Sequence, residues 1–338
     1  MRAGLILAGG LALGAYQAGA VAALIEGGVE VTAIAGSSIG AIHAALLAGG
    51  TPETRVARLL GFWRDVAQEG LVNPLAWTPL RGAQSLMGVL SARLAGVPGL
   101  FRPRIGPTGR ATPSLYDLAP LGQRLDRDVD WARLNAGSPR VCIAAIDIES
   151  AAPAWFDTQA GVTIGRDHVL ASGGLLPNFP AMPIDGRLHG DGGLGANAPL
   201  EPFLSSERQG ALPDLFFLID LFPAAAPPPA TLIRAAERSN DLTYAAQTGM
   251  RLAGLVRERA LEARLGNEVA TRVVAMAYHN TPIESGPEKT FDFSRATIDR
   301  RIAAGRADAA AALALAAARD GGTRPGLNVL TVPPRDPS

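Results

Sequence analysis

Residues 29–35 alternate and are β-branched, and Gly36-Ser37-Ser38-Ile39-Gly40 follows them at once, ahead of a helical pattern at 41–48. A strand that runs into Gly-x-Ser-x-Gly and then a helix is the setting a nucleophile elbow requires. Gly36 and Gly40 flank the serine because so tight a turn leaves no room for side chains. The helix start supplies free N–H groups and a positive dipole end beside any developing anion. The plainer alternative is a small-residue turn in which Ser38 only caps the helix.

A second glycine turn lies upstream in the same βαβ unit. Residues 3–8 read as a short buried strand, Gly9-Gly10-Leu11-Ala12-Leu13-Gly14 as the turn, and 15–26 as a helix. Such a turn presents N–H groups to an anion. It does not match the dinucleotide pattern Gly-x-Gly-x-x-Gly, because position 11 is Leu, and no phosphate-binding Gly-Lys-Ser/Thr occurs. A donor cradle beside Ser38 is the simpler account, and each donor to an oxyanion is worth roughly 3 kcal/mol. Arg2 before an apolar stretch also suggests a signal peptide. Gly9, Gly10, Gly14, Gly19 and Gln17 interrupt that stretch, and Glu26-Gly27-Gly28 reads as a helix stop. We therefore expect a cytoplasmic protein.

Strand and helix patterns alternate along the chain. Helices are expected from a Thr51 N-cap to about Gln68, at 84–95, 114–125, 163–172, 231–266 and 294–319. Strands are expected at 140–148, 154–157, 184–188, 214–221 and 272–278. This alternation predicts a three-layer α/β/α fold with a mainly parallel central sheet. Residues 1–227 would form the α/β domain, with a proline- and aromatic-containing, lid-like insertion at 70–113. Residues 228–338 would be mostly helical with one strand, packed on the same domain. Apolar residues make up 48% of the chain, and 31 basic against 31 acidic side chains leave no net charge. That balance argues against nucleic acid as a partner. The lone Cys142 rules out an internal disulfide and a cysteine-framed zinc site. No run reaches the roughly 20 apolar residues of a membrane span. Peripheral membrane contact would have to be hydrophobic, with 84–101, including Leu86, Leu90 and Phe101, as the candidate surface; ordinary lid packing competes with it.

A serine hydroxyl needs an adjacent base. His43 lies five residues along the helix from Ser38 and points away from the turn. His168 has the look of a surface or capping residue. His189 shares a strand with Asp191. His279 follows a strand and would complete a Ser-Asp-His order with Asp191 or Asp220. Asp191-Gly192-Gly193 puts a carboxylate on an open turn after a strand. No metal-ligand cluster or Asp-x-Asp-x-Asp-Gly calcium loop is present, so neither metal nor cofactor is expected.

Together these pieces resemble the patatin-like phospholipase family, its bacterial branch in particular. The carriers are Gly9-Gly10-x-Ala12-x-Gly14-Ala15-Tyr16-Gln17-Ala18-Gly19, Gly36-Ser37-Ser38-Ile39-Gly40-Ala41, Ala171-Ser172-Gly173 with Phe179-Pro180, and Asp191-Gly192-Gly193 with Asn197 and Pro199. Residues 292–298 resemble a subgroup with a helical C-terminal extension. The resemblance implies a lipid acyl hydrolase with a Ser–Asp dyad: Ser38 the nucleophile, Asp191 the general base and acid, and the amides of Gly9, Gly10 and Leu11 the oxyanion hole. Gly14, Gly36, Gly40, Gly192 and Gly193 would support these turns. Burial would raise the Asp191 pKa and make it a better base. Where the family usually has a third glycine this chain has Leu11. If φ must be positive there, Leu is strained, and a catalytically weak lipid-binding protein is the alternative.

Overall fold

The computed structural model describes residues 1–69, 81–105, 112–279, 288–318 and 324–335, with residues 81–86 described for their backbone alone. In β1 (Arg2–Leu7), Leu5 and Leu7 join one buried cluster and Ile6 the other. That period of two is what a strand covered on both faces requires. Helix α1 (Gly14–Glu26) returns the chain to β2 (Glu30–Ser37), parallel to β1. Three helices follow, α2 (Ile39–Ala48), α3 (Arg55–Val66) and α4 (Arg81–Ala95). The short strands β3 (Arg102–Pro103) and β4 (Tyr116–Asp117) pair with each other. Helices α5 (Ala119–Asp128) and α6 (Trp131–Leu134) lead into β5 (Arg140–Asp147), buried along its whole length. Next come β6 (Pro153–Asp157), α7 (Arg166–Ser172), β7 (Met182–Ile184), β8 (Arg187–Asp191) and α8 (Glu201–Leu204). The rest is β9 (Leu215–Asp220), α9 (Leu232–Arg264), β10 (Ala270–Ala277), α10 (Arg295–Ala317) and β11 (Gly326–Thr331).

The sheet order is β11-β10-β9-β1-β2-β5-β8-β7, with β6 also paired to β5. Neighbours from β11 through β5 are parallel, whereas β6, β7 and β8 pair antiparallel. Apolar residues of α1, α2, α3 and α10 cover one face, and those of α8 and the distal part of α9 the other. The fold is thus the expected three-layer, mainly parallel α/β/α. Its chain order reverses about β1, between β2 and β9. Open sheets of this kind bind ligands in the crevice beyond the strand ends at such a switch point.

Beyond residue 228 the chain adds β10 and β11 to this sheet, so that region holds two strands where one was expected. Helix α10 lies against α1 through two glycines. A Cβ on Gly305 would sit 1.9 Å from the Tyr16 carbonyl oxygen, and one on Gly19 2.0 Å from that of Ile302. Tyr16 also donates a hydrogen bond to Asp308 at 2.8 Å.

Several expected boundaries move. The 184–188 strand is the second arm of a β7–β8 hairpin whose turn, Asp185-Gly186, has positive φ at both residues (51° and 78°), the conformation that Asp-Gly favours. The helix expected at 114–125 begins at Ala119, where the Asp117 carboxylate accepts the Ala119 amide at 2.9 Å. Residues 51–54 form a turn ahead of α3 instead of capping it, and α3 stops at Val66 because Gln68 bridges to Ser294. Of the 70–113 insertion, residues 70–80 and 106–111 lie outside the described residues. Phe101, expected on a docking surface, is 1% exposed and packs edge-on against Tyr116 and Phe179.

A methyl group at Gly305 has only backbone to displace, so Gly305→Ala should cost about 3 kcal/mol, the upper end of ordinary overpacking. Gly61, in α3, has nothing within 4 Å of its Cβ position, and Gly61→Ala should gain about 0.5–1 kcal/mol. Urea midpoints for the two variants should move in opposite directions; a shared direction would contradict the helix crossing.

Candidate active site

The elbow is built from backbone contacts. β2 ends at Ser37, and Ser38 takes φ 54° and ψ −119° before α2 begins. A Cβ on Gly36 would lie 2.2 Å from the Gly40 carbonyl oxygen, and one on Gly40 2.2 Å from that of Leu7. Both flanking glycines are therefore demanded by the approach of β2, α2 and β1. Ser172 closes the turn from α7: its Oγ accepts the Ser38 amide at 2.9 Å and donates to the Ala144 carbonyl at 2.6 Å.

Strand register brings the carboxylate to the serine. Ser37 pairs with Ala144 and Asp191 with Ala145, so β5 places the two strand ends side by side. The chain then crosses at Gly192, where a Cβ would meet the Ala144 carbonyl at 2.6 Å and Ser37 Oγ at 2.7 Å. The Gly193 amide donates a hydrogen bond to the Asp191 carboxylate at 2.7 Å, and the Ser38 hydroxyl lies beside that carboxylate, where it favours the ionised form. Ser38 and Asp191 are only 7% and 3% exposed. Burial raises the Asp191 pKa to about 6 against the opposing pull of those two groups.

The glycine loop arrives beside them from β1. Gly9 has no room for a side chain: its Cβ position is 3.0 Å from Ser38 Cβ and 2.8 Å from Asn197 Oδ1. Its amide is already committed to the Asn197 carbonyl at 3.1 Å, which takes Gly9 out of the expected donor set. The amides of Gly10 and Leu11 have no hydrogen-bond acceptor among the described residues. Leu11 does stand at positive φ, 48°, a conformation that costs a non-glycine residue roughly 1–2 kcal/mol. Gly14 faces Ile39 and Trp63, with a Cβ position 2.5 Å and 2.9 Å from their side chains.

The histidines are occupied elsewhere. His43 is wholly buried, bonded to Gln17 Oε1 (2.7 Å) and to Trp63 Nε1 (2.9 Å), and burial lowers its pKa to about 3. His168 caps α7 by accepting the Gly165 amide at 3.0 Å. His189 packs against Phe156. His279 follows β10, three strand positions from β2, about 14 Å at the usual strand spacing. It is not among the residues lining the cavity that holds Ser38, which argues against the Ser-Asp-His alternative. Asp220 is buried with its pKa raised to about 6 by desolvation, and it accepts the amides of Leu221 and Phe222.

Ser38, Asp191 and the 9–11 loop open into one cavity of about 280 Å³. Leu175, Leu176, Leu194, Phe222, Tyr244 and Phe291 give it apolar walls, and Arg93, Asn178 and Glu288 stand at its polar end. Sequence reasoning missed all of these wall residues. Only an arginine inside the apolar 84–95 pattern offered a signal.

A covered, mainly parallel sheet with a strained serine turn at its switch point defines a three-layer α/β protein. A model of the patatin-like phospholipase family matches residues 5–204, and a second, described as patatin phospholipase, matches residues 254–322. The first spans more than half of the chain, and the chain belongs to the patatin-like phospholipase family. Membership points to lipid acyl hydrolysis as the general activity. No curated protein matches. Among solved structures, VipD from Legionella pneumophila is similar at 14% identity and a TM-score of 0.37, over 90% of this chain and 67% of that chain; nothing below rests on that likeness.

The Asp191 pKa has a measurable consequence for stability. Its folded value, about 6, lies above the unfolded reference of 3.8, so the native state holds a proton that the unfolded chain has released. Stability contributed by this group is full below the unfolded value and is lost as pH rises through about 6. Asp191→Asn should therefore be more stable than the parent by about 3 kcal/mol near pH 8. The gap should close near pH 4. Urea titrations at both values test it, and a gap independent of pH would contradict titration at this site.

Proposed function

We propose that the protein is a serine acyl hydrolase acting on lipid acyl esters, with Ser38 as nucleophile and Asp191 as the base that takes its proton directly. The observation that carries this reading is the juxtaposition of the two side chains at neighbouring strand ends in a buried pocket, where the carboxylate is raised to about 6. Near neutral pH such a carboxylate is mostly ionised yet far more basic than one in water. As Ser38 Oγ attacks the carbonyl carbon, its proton passes to Asp191. The oxyanion is held by the Gly10 and Leu11 amides, reinforced by the helix dipole of α2. Collapse expels the alcohol, which takes the proton back from Asp191, and leaves an acyl-Ser38 ester. Water then gives a proton to Asp191 as it attacks the acyl carbon, and the acyl–Oγ bond breaks as Ser38 Oγ takes that proton back, releasing the fatty acid. These steps use only side chains and amides of this chain.

The catalytically weak binding protein is favoured by one observation, the positive φ of Leu11. That strain is a cost to folding. It leaves the Leu11 amide without a competing acceptor, so we rank this reading second. Both are decided by labelling with a fluorophosphonate and by hydrolysis of p-nitrophenyl esters. Labelling should require Ser38 and rise as pH increases through about 6. Asp191→Asn should slow it by at least about 100-fold, and His279→Ala should stay within about twofold. Equal ester hydrolysis by Ser38→Ala and the parent would end the enzyme reading.

Membrane contact, in this reading, is peripheral. Among the described residues no helix is long and apolar enough to cross a membrane. Met87, Leu90 and Leu94 are 50%, 44% and 77% exposed on α4, and their spacing puts them on one side of the helix that also carries Arg93 to the cavity. With no net charge, docking would be hydrophobic. Changing all three to Ser should lower co-sedimentation with phosphatidylcholine vesicles severalfold without altering hydrolysis of a soluble ester; undiminished vesicle binding would reject it.

A further inference from the structure

The cavity has a chemical polarity that the proposed reaction does not use. Its floor, with Ser38 and Asp191, is buried. Among the described residues its mouth holds one cation, Arg93, whose side chain is 27% exposed, facing Glu288 at 48%. Arg93 Nε and Nη2 both donate to the same Glu288 oxygen, at 2.8 Å and 2.6 Å, and Nη1 donates to Asn178 Oδ1 at 2.9 Å. The guanidinium lies over the Phe291 ring, 3.5 Å from its centroid. The Arg93 carbonyl accepts a hydrogen bond from the Tyr116 hydroxyl at 3.0 Å.

Two of these contacts fix Arg93 independently of Glu288. Phe291 supports the guanidinium plane and Asn178 holds one corner. The carboxylate occupies the remaining edge, the one suited to two-point recognition of an anion. A half-exposed pair of this kind is weak, because solvent screens it. Glu288 can therefore be exchanged for another anion while Arg93 stays where it is. An acyl ester whose carbonyl sits at Ser38 and whose chain lies along Leu175, Leu176 and Phe222 would extend its alcohol side toward this edge. Among the described residues, the charged groups lining the cavity besides Arg93 are Asp191 and Glu288, both of which repel an anion.

We propose that Arg93 is the specificity residue of the cavity, that it takes a phosphate carried on the alcohol side of the ester, and that Glu288 occupies its place until such a substrate binds. This rests on the hydrolase reading above for the position of the ester, but binding tests it apart from turnover.

Ser38→Ala protein is titrated calorimetrically with octyl phosphate, octyl glucoside and inorganic phosphate. Octyl phosphate should bind at least tenfold tighter than either of the others. Arg93→Gln in the same background should weaken octyl phosphate at least tenfold. Glu288→Gln should tighten it severalfold, a gain that general damage to the fold does not produce. Equal binding to parent and Arg93→Gln, or weaker binding by Glu288→Gln, overturns the proposal. Inorganic phosphate bound as tightly as octyl phosphate makes this a free-anion site and overturns it as well. With Ser38 intact, the ratio of kcat/KM for 1-acylglycerol-3-phosphate over the matching monoacylglycerol should exceed ten and fall toward one in Arg93→Gln. If neither ester is cleaved while Arg93-dependent binding persists, the hydrolase reading fails and the anion site stands. Cleavage of both with an Arg93-independent ratio has the opposite meaning.

Discussion

The site depends on one strained residue. Ser38 holds φ 54°, in a region where a residue with a side chain loses about 1–3 kcal/mol. Nothing local favours it. The conformation persists because β1, β2 and α2 meet backbone to backbone at Gly36 and Gly40, and because Ser172 takes up the amide that the turn leaves free. Relaxing Ser38 would mean pulling apart the centre of the sheet. The surrounding burial thus stabilises the strain, and the hydroxyl is held toward Asp191 before any substrate arrives.

Two buried carboxylates share nearly the same raised pKa, yet their surroundings separate them. Asp220 turns back on its own chain and accepts two consecutive amides, Leu221 and Phe222. It secures the end of β9, against which Gly10 packs through Leu221. Asp191 accepts one amide, that of Gly193, and faces the cavity beside Ser38. The same accounting settles His43. Both of its ring nitrogens are bonded and its neutral form is strongly favoured, so it ties α1, α2 and α3 together with no lone pair to offer. Availability, more than pKa, separates a candidate base from a structural group here.

What was legible in the sequence is what short-range geometry dictates. Gly-x-Ser-x-Gly, the glycine turn after β1 and Asp191-Gly192-Gly193 each encode a local backbone demand, and each demand appears where the residues stand. The β7–β8 hairpin was legible too, in Asp185-Gly186, but a lone Asp-Gly inside a short apolar run was absorbed into a single strand. Edge strand β11 was missed because the strand it pairs with, β10, lies some fifty residues away in sequence. The commitment of the Gly9 amide to Asn197 was invisible for the same reason: a hydrogen bond across nearly two hundred residues leaves no periodicity. Phe101 misled because an aromatic in a proline-rich stretch looks solvent-facing until Tyr116 and Phe179 close around it.

The walls of the cavity differ in origin from its floor. The floor comes from turns at the ends of sheet strands, which packing fixes on every side. The walls come from α4, from the 175–178 loop, from Asn240 and Tyr244 of α9, and from residues 288–291. The last of these fall within the second family match, whose region also supplies β10 and all of α10. The C-terminal region is therefore part of the site as well as of the sheet: Tyr244 stacks on Phe222 beside Gly193, and Phe291 lies under Arg93. A rigid floor with walls drawn from sequence-distant segments lets the reacting groups stay fixed while the shape and charge around them vary. In this chain that variation has put Arg93 at the mouth, with Glu288 on its open edge.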